Sequence, residues 1–165
     1  MNQLQELLGY RFKKTELLQQ ALKHRSAGAK HNERLEFLGD AVLELAITDL
    51  LYRQFSTSDE GRLTRFRARL VRKETLAERA RALTLGQFLD LGPGERKSGG
   101  ADRDSILADA FEAILGAIYL DVGFLGVKER VEYWFGQTLE GLEALSQEKD
   151  PKTRLQEQLQ GLGEP

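Results

Sequence analysis

The chain has 165 residues, enough for one well-buried domain with little left for a second. Its 24 Lys and Arg against 26 Asp and Glu leave a formal net charge of −2, so overall charge argues neither for nor against a nucleic-acid partner. Having no cysteine, it is excluded from disulfides, zinc thiolate sites and cysteine nucleophiles; no segment has the length and apolarity of a signal peptide or a membrane span, and a cytoplasmic location is expected.

Read in chain order, the sequence predicts an all-α fold. Proline occurs only at 93, 151 and 165, and alternating runs of strand type are scarce. Short helices are predicted over residues 4–8 and 15–22, followed by a break at 26–28 and an acid-rich helix over 32–55. Ser56-Thr57-Ser58-Asp59 reads as a helix start. It leads into a basic helix over 60–73 and another over 74–83. Residues 91–100, rich in glycine, predict a loop. A long apolar helix covers 105–121, a break falls at 123–126, and an amphipathic helix runs to about Leu145. Asp150 and Pro151 suit the cap and first position of a last helix.

On the acid-rich helix, a turn of about 100° per residue places Glu33, Glu36, Asp40 and Glu44 within an arc of roughly 80°. Leu35, Leu38, Val42 and Leu45 fall opposite, as the predicted core stripe. Carboxylates gathered in this way form a solvated face or bind a hard cation, and this segment alone leaves both open. Asp49 points the way of the stripe, so it belongs beyond the core's edge or beside a basic group. Phe37, at the edge of the acidic face, and Ile47, within it, call for a cover from a second layer of protein or a partner subunit.

Between Ile106 and Leu120 the only charges are Asp109 and Glu112. Apolar residues point in every direction around this helix, which predicts burial. Two carboxylates three residues apart share a face, and burying them without a counter-charge is costly. An ion-pair network would have to match both acids in one place. A metal ion fits better, with Glu36 and Asp40 available to complete an all-oxygen shell.

Arg62, Arg65, Arg69, Arg72 and Lys73 line one side of the basic helix, beside a packing stripe of Leu63, Phe66 and Leu70. That side is a solvated basic face or a phosphate-binding surface, and Arg96 and Lys97 in the glycine-rich loop could reach the same backbone. The loop itself has neither P-loop nor Rossmann spacing. His24 and His31, the only histidines, read as structural.

The run Asn32-Glu33-Arg34-Leu35-Glu36-Phe37-Leu38-Gly39-Asp40, together with Asp59-Glu60-Gly61, residues 91–100 and the stretch from Ser105 to Glu112, resembles the endonuclease domain of the bacterial ribonuclease III family. The likeness extends from about Leu7 to about Leu145. It implies the family's all-helical homodimer, with Phe37 as the aromatic that plugs into the partner. It implies Mg²⁺, with Mn²⁺ as a substitute, held by Glu36, Asp40, Asp109 and Glu112. Asp40 and Glu112 would be the pair most directly needed for hydrolysis, with Glu33 and Glu60 as further acids of the catalytic valley. With no reactive thiol or plausible triad, the attacking group is expected to be metal-activated water.

The implied activity is staggered cleavage of double-stranded RNA to 5′-phosphate and 3′-hydroxyl ends, in the processing of ribosomal and some messenger and transfer RNA. Recognition would rest on A-form shape, and on salt-sensitive contacts for which Arg62, Arg65, Arg69, Arg96 and Lys97 are the candidates. No small-molecule cofactor and no membrane partner is expected. The motif Lys23-His24-Arg25-Ser26 departs from the family in having lysine where threonine is usual. Residues 1–146 are expected to form the endonuclease domain, and 147–165 a linker and the first helix of a truncated double-stranded RNA-binding domain. The alternative is a non-catalytic double-stranded RNA-binding protein on the same fold; loss of acids would favour it, and every matching acid is present.

Overall fold

The computed structural model describes the backbone of residues 1–161, and the side chains of all of these except 146–154 and 157. Eight α-helices are found among the described residues: α1 (Asn2–Leu8), α2 (Thr15–Ala21), α3 (Glu33–Gln54), α4 (Glu60–Val71), α5 (Lys73–Ala82), α6 (Pro93–Lys97), α7 (Asp104–Val122) and α8 (Phe124–Gly161). The only strand-like pairing among them is an isolated parallel bridge between Lys23 and Asp90. The chain divides into two compact units, Met1–Tyr133 and Trp134–Pro165.

The first unit is built around α7, which α2, α3 and α5 all pack against. Its sequence explains that position: eleven residues from Ile106 to Ile118 are buried, pointing every way around the helix, so only a central place satisfies them. Only its last turn emerges, where Leu120 is half exposed. α3 lies across α7, and α4 leans on α3 with Phe66 against Phe55, ring centres 5.1 Å apart. Asp59 caps α4 by accepting the Arg62 N–H at 2.8 Å. Arg81 on α5 ties the start of α7 in place through Asp102 (2.9 Å) and Asp104 (2.5 Å).

Several elements differ from their sequence reading. Residues 91–100 are not loop throughout: Pro93 occupies the first turn of the short helix α6, a place where its missing N–H costs nothing. The break at 123–126 narrows to Gly123 (φ 87). α8 runs on through Pro151 to Gly161, so Asp150 and Pro151 do not open a new helix. Pro151 sits inside α8 between good helix formers, Gln147-Glu148-Lys149 and Arg154-Leu155-Gln156. In the second unit Phe135, Leu139 and Leu142 are buried at helical spacing, while Leu155 and Leu159 are exposed. Residues 162–165, the end of the segment read as the start of a second domain, lie outside the described residues.

The face that α3 buries is rotated from the predicted stripe. Leu35 and Val42 are buried as expected, but Leu45 is 56% exposed and Ile47 is fully buried by its own chain. Apolar residues surround α3 too evenly to define one stripe, and its contact with α7 sets the angle instead. Asp49 is paired, as its position required, with Arg53 (3.0 Å) and Lys128 (2.5 Å). Phe37 is 83% exposed, so no described residue of its own chain covers it.

Candidate active site

The site forms where α3 crosses α7, and glycine makes the crossing possible. A Cβ on Gly39 would stand 1.7 Å from the Glu112 carbonyl oxygen, and one on Gly116 would stand 2.3 Å from that of Leu35. The two backbones therefore touch. Glu36 and Asp40 flank Gly39 on α3, while Asp109 and Glu112 come from the facing stretch of α7. The start of α3 is fixed by buried Asn32, whose Nδ2 donates to the Ala21 carbonyl (3.1 Å) and whose N–H donates to that of Lys23 (2.9 Å).

The four acids stand as two carboxyl–carboxyl pairs, Glu36 with Asp109 and Asp40 with Glu112. Two carboxyls can share a hydrogen bond only if one keeps its proton. Glu112 keeps its own: burial, then the Asp40 hydrogen bond and the charges of Asp40, Glu36 and Asp109, push its pKa up to about 9. Glu36 is raised as well, first by burial and then by Asp109, Glu33 and Asp40. Asp109 is raised by burial too, but Lys73, the Glu36 hydrogen bond and His24 oppose the rise. Among the described residues no three acidic or histidine side chains converge as a ready-made metal cage. In donor chemistry the cluster nonetheless suits a divalent cation: its side chains offer only oxygen, and Glu36 and Glu112 are pushed up by burial and by their acidic neighbours.

The remaining sequence candidates are spread around this centre. Glu33 is on the rim, 3.6 Å from Arg25 and 4.0 Å from His31, and its charge reaches Glu36 and Asp109. Glu60 lies elsewhere, at the start of α4, where it accepts the Thr64 hydroxyl (3.1 Å) and lines a hollow with Thr48, Leu51, Tyr52, Leu63 and Arg67. Of the basic candidates, Arg62 is stacked over Phe66 (5.5 Å), while Arg65 and Arg69 are exposed along α4. Arg96 donates to the Leu89 carbonyl (2.8 Å), and Lys97 is exposed at the end of α6. Sequence reasoning missed the structural work of Gly39 and Gly116. The available signal was a pair of glycines, each within four residues of an acid, on two helices that had to meet.

Comparison with known proteins places the chain in a family. Residues 14–139 match the family model described as Ribonuclease-III-like. The chain is 58% identical to Ribonuclease 3 of Vibrio cholerae over 165 residues, covering all of this chain and 73% of that protein. It is 55% identical to Ribonuclease 3 of Proteus mirabilis over 161 residues, covering 98% of this chain and 71% of the relative. The crystal structure of the nuclease domain of ribonuclease III from Campylobacter jejuni superposes with a TM-score of 0.81 at 41% identity, covering 84% of this chain and 95% of that one. Dicer from Pichia stipitis is similar at a TM-score of 0.64 and 29% identity, over 79% of this chain and 58% of its own. With its two acid-bearing helices crossing at Gly39 and Gly116, and with likeness of this extent along its length, the chain belongs to the ribonuclease III family of endoribonucleases.

Proposed function

We propose that this chain hydrolyses phosphodiester bonds in double-stranded RNA with Mg²⁺ held by Glu36, Asp40, Asp109 and Glu112, leaving staggered ends with 5′-phosphate and 3′-hydroxyl. The observation that carries the reading is the self-paired cluster, in which Glu112 is pushed up to about 9 by burial and by its acidic neighbours. A fold that keeps four mutually repelling carboxyls together at a partly buried crossing gives up stability, and a divalent cation is what such a set is suited to hold. When bound, Mg²⁺, or Mn²⁺ in its place, supplies an activated water and charge compensation at the phosphate. The chain's own part would be to give up the proton on Glu112 and to offer the four carboxylates as the ion's oxygen donors. This reading assigns phosphate contacts to Arg65, Arg69 and Lys97, which are exposed, with Arg62 and Arg96 as partly committed neighbours. Ribosomal RNA precursors, and some messenger and transfer RNA, are the substrates this reading implies.

The same reading makes the chain a homodimer. Phe37, Leu45 and Tyr52 are exposed at 83%, 56% and 73% along one side of α3. The hollow of about 220 Å³ between α3 and α4, lined by Thr48, Leu51 and Tyr52, opens near the same side. A two-fold axis near the middle of α3 would bring each Phe37 to the partner's hollow. A solved Campylobacter jejuni nuclease domain is itself described by flexibility in a region involved in dimer formation.

Cleavage of a long duplex RNA at low salt, compared with Glu112→Ala and a metal-free control, tests the chemistry. Both controls should be inert, and intact RNA throughout with binding retained would favour a non-catalytic RNA-binding protein. Sedimentation tests the assembly: the wild type should run as a dimer and Phe37→Ala as a monomer with an unchanged helical spectrum.

A further inference from the structure

A cavity of about 600 Å³ lies between α2 and residues 88–90, and none of the four inner acids lines it. Backbone hydrogen bonds set its walls. The Asp90 N–H donates to the Leu22 carbonyl (2.9 Å) and the His24 N–H to that of Asp90 (3.0 Å). The Asn32 N–H returns to the Lys23 carbonyl (2.9 Å), which folds residues 24–31 back as a rim. Leu22 and the half-buried Phe88 supply the apolar side. The size falls within the range of about 300–1,000 Å³ common to small-molecule sites.

Two lysines line the cavity from that rim. Lys23 is the residue at which the sequence departs from the family's usual threonine, and its ammonium lies along the rim, where a Cβ on Gly28 would stand 3.8 Å from Nζ. Lys30 is held in the left-handed region at φ 54, a conformation that glycine would adopt more easily and that a merely solvated lysine does not need. Glu16 on α2 and Asp90 line the same space. Among the described residues, none of these four charged side chains has an ion-pair or hydrogen-bond partner. Charges of both signs, left unpaired around a half-buried ring, suit a ligand that carries an anion at one end and hydrogen-bond donors on a flat ring at the other.

We infer that this cavity binds a 5′-phosphorylated nucleotide whose base bears an amino group, free or at the end of a strand. Lys23 and Lys30 hold the phosphate, Phe88 stacks on the base, and the Asp90 carboxylate accepts from the exocyclic amine. Cytosine and adenine carry that amine, and uracil does not. The site is separate from the acidic crossing and needs no metal.

The test is an NMR titration of the full chain, with metal removed by a chelator so that no nucleotide reaches the acids through a bound ion. Cytidine and adenosine 5′-monophosphate should shift the amides of α2 and of residues 88–90 at millimolar concentration, and leave those of residues 36–40 and 109–112 in place. Uridine 5′-monophosphate, cytidine without its phosphate, and inorganic phosphate alone should each bind about fivefold more weakly or worse. Lys23→Thr and Lys30→Gly, the second of which suits the backbone at that position, should each weaken cytidine monophosphate about three- to fivefold. Phe88→Leu keeps an apolar side chain without a ring to stack, and should cost about tenfold. The dinucleotide pCpC separates the two sources: affinity equal to that of cytidine monophosphate assigns the site to the end of a strand, and weaker binding assigns it to a free nucleotide. The inference is overturned if neither monophosphate shifts these amides, or if the shifts fall on the acid-bearing segments instead. Uridine monophosphate or inorganic phosphate binding as tightly as cytidine monophosphate overturns it too, as does wild-type affinity in the Lys23→Thr, Lys30→Gly double variant.

Discussion

Helix α7 carries Asp109 and Glu112 near its start and Asp121 in its last turn, and the surroundings treat the two groups in opposite ways. Burial works against the charge of Asp121, but the Tyr10 hydroxyl (2.6 Å) and the N–H groups of Lys13 (2.9 Å) and Lys14 (3.0 Å) all donate to it. Those donors outweigh burial and hold its carboxyl below the usual range. Glu112 is also buried in part, yet the groups that move it are carboxyls, and it rises to about 9. The acid at the end of α7 pins the segment between α1 and α2, and its needs are met within the fold. At the other group, Glu36 and Glu112 face chiefly other acids. Burial of a carboxylate is therefore a poor sign of function by itself; what faces it separates a structural clip from a candidate site.

The largest effect should come from the crossing that creates the second kind of acid. Gly39→Ala puts a carbon 1.7 Å from the Glu112 carbonyl, where only backbone can yield. The helices must part, at about 3 kcal/mol, and the two acid pairs part with them. Urea unfolding should report the loss, and Mn²⁺ binding should fall along with it. A variant as stable as the wild type would mean that the crossing tolerates separation and that the acids do not depend on it.

Asp121→Ala should cost less, about 2 kcal/mol, because three donors lose a charged acceptor but lie near enough to water to be partly compensated. Mn²⁺ affinity should stay as in the wild type. That result would keep the two ends of α7 independent, whereas a matching loss of metal binding would show that the clip sets the position of the active acids.

The difference between the two ends was only half legible in the sequence. Helical spacing brought Glu36 and Asp40 onto one face and put Asp109 with Glu112 on a buried helix, and the structure couples them across the crossing in pairs, Glu36 with Asp109 and Asp40 with Glu112. The same spacing misplaced Leu45 and Ile47, because α3 is apolar on too many sides for its own pattern to fix its rotation; Gly39 against α7 fixes it. The three donors to Asp121 rest on contacts between segments far apart in sequence, which no local pattern encodes. The end of α8 was misread for a simpler reason: an Asp-Pro pair is a good helix start in isolation, and strong helix formers on both sides carried the helix through it.

The smallest effect, and the sharpest on the comparison, is the direction in which pH moves stability. Glu112 has a folded pKa raised from 4.5 to about 9, so the folded chain binds its proton more tightly than the unfolded one. Its stabilisation is complete below the unfolded value and is lost as pH rises toward 9. Asp121 is lowered from 3.8, so its contribution is present above that value and is lost as pH falls through the folded one. Without metal, the melting temperature should drop by a few degrees between pH 5 and pH 9. Glu112→Gln, which keeps a hydrogen-bonding side chain without an ionisable proton, should flatten most of that drop while abolishing cleavage. Saturating Mg²⁺ should flatten it in the wild type, since an ion that binds only the folded, deprotonated cluster stabilises it most where the protons are already gone. Asp121→Ala should instead lose slope only on the acid side, below about pH 4. If Glu112→Gln left the alkaline slope unchanged, the repulsion assigned to the four acids would have to reside elsewhere in the fold.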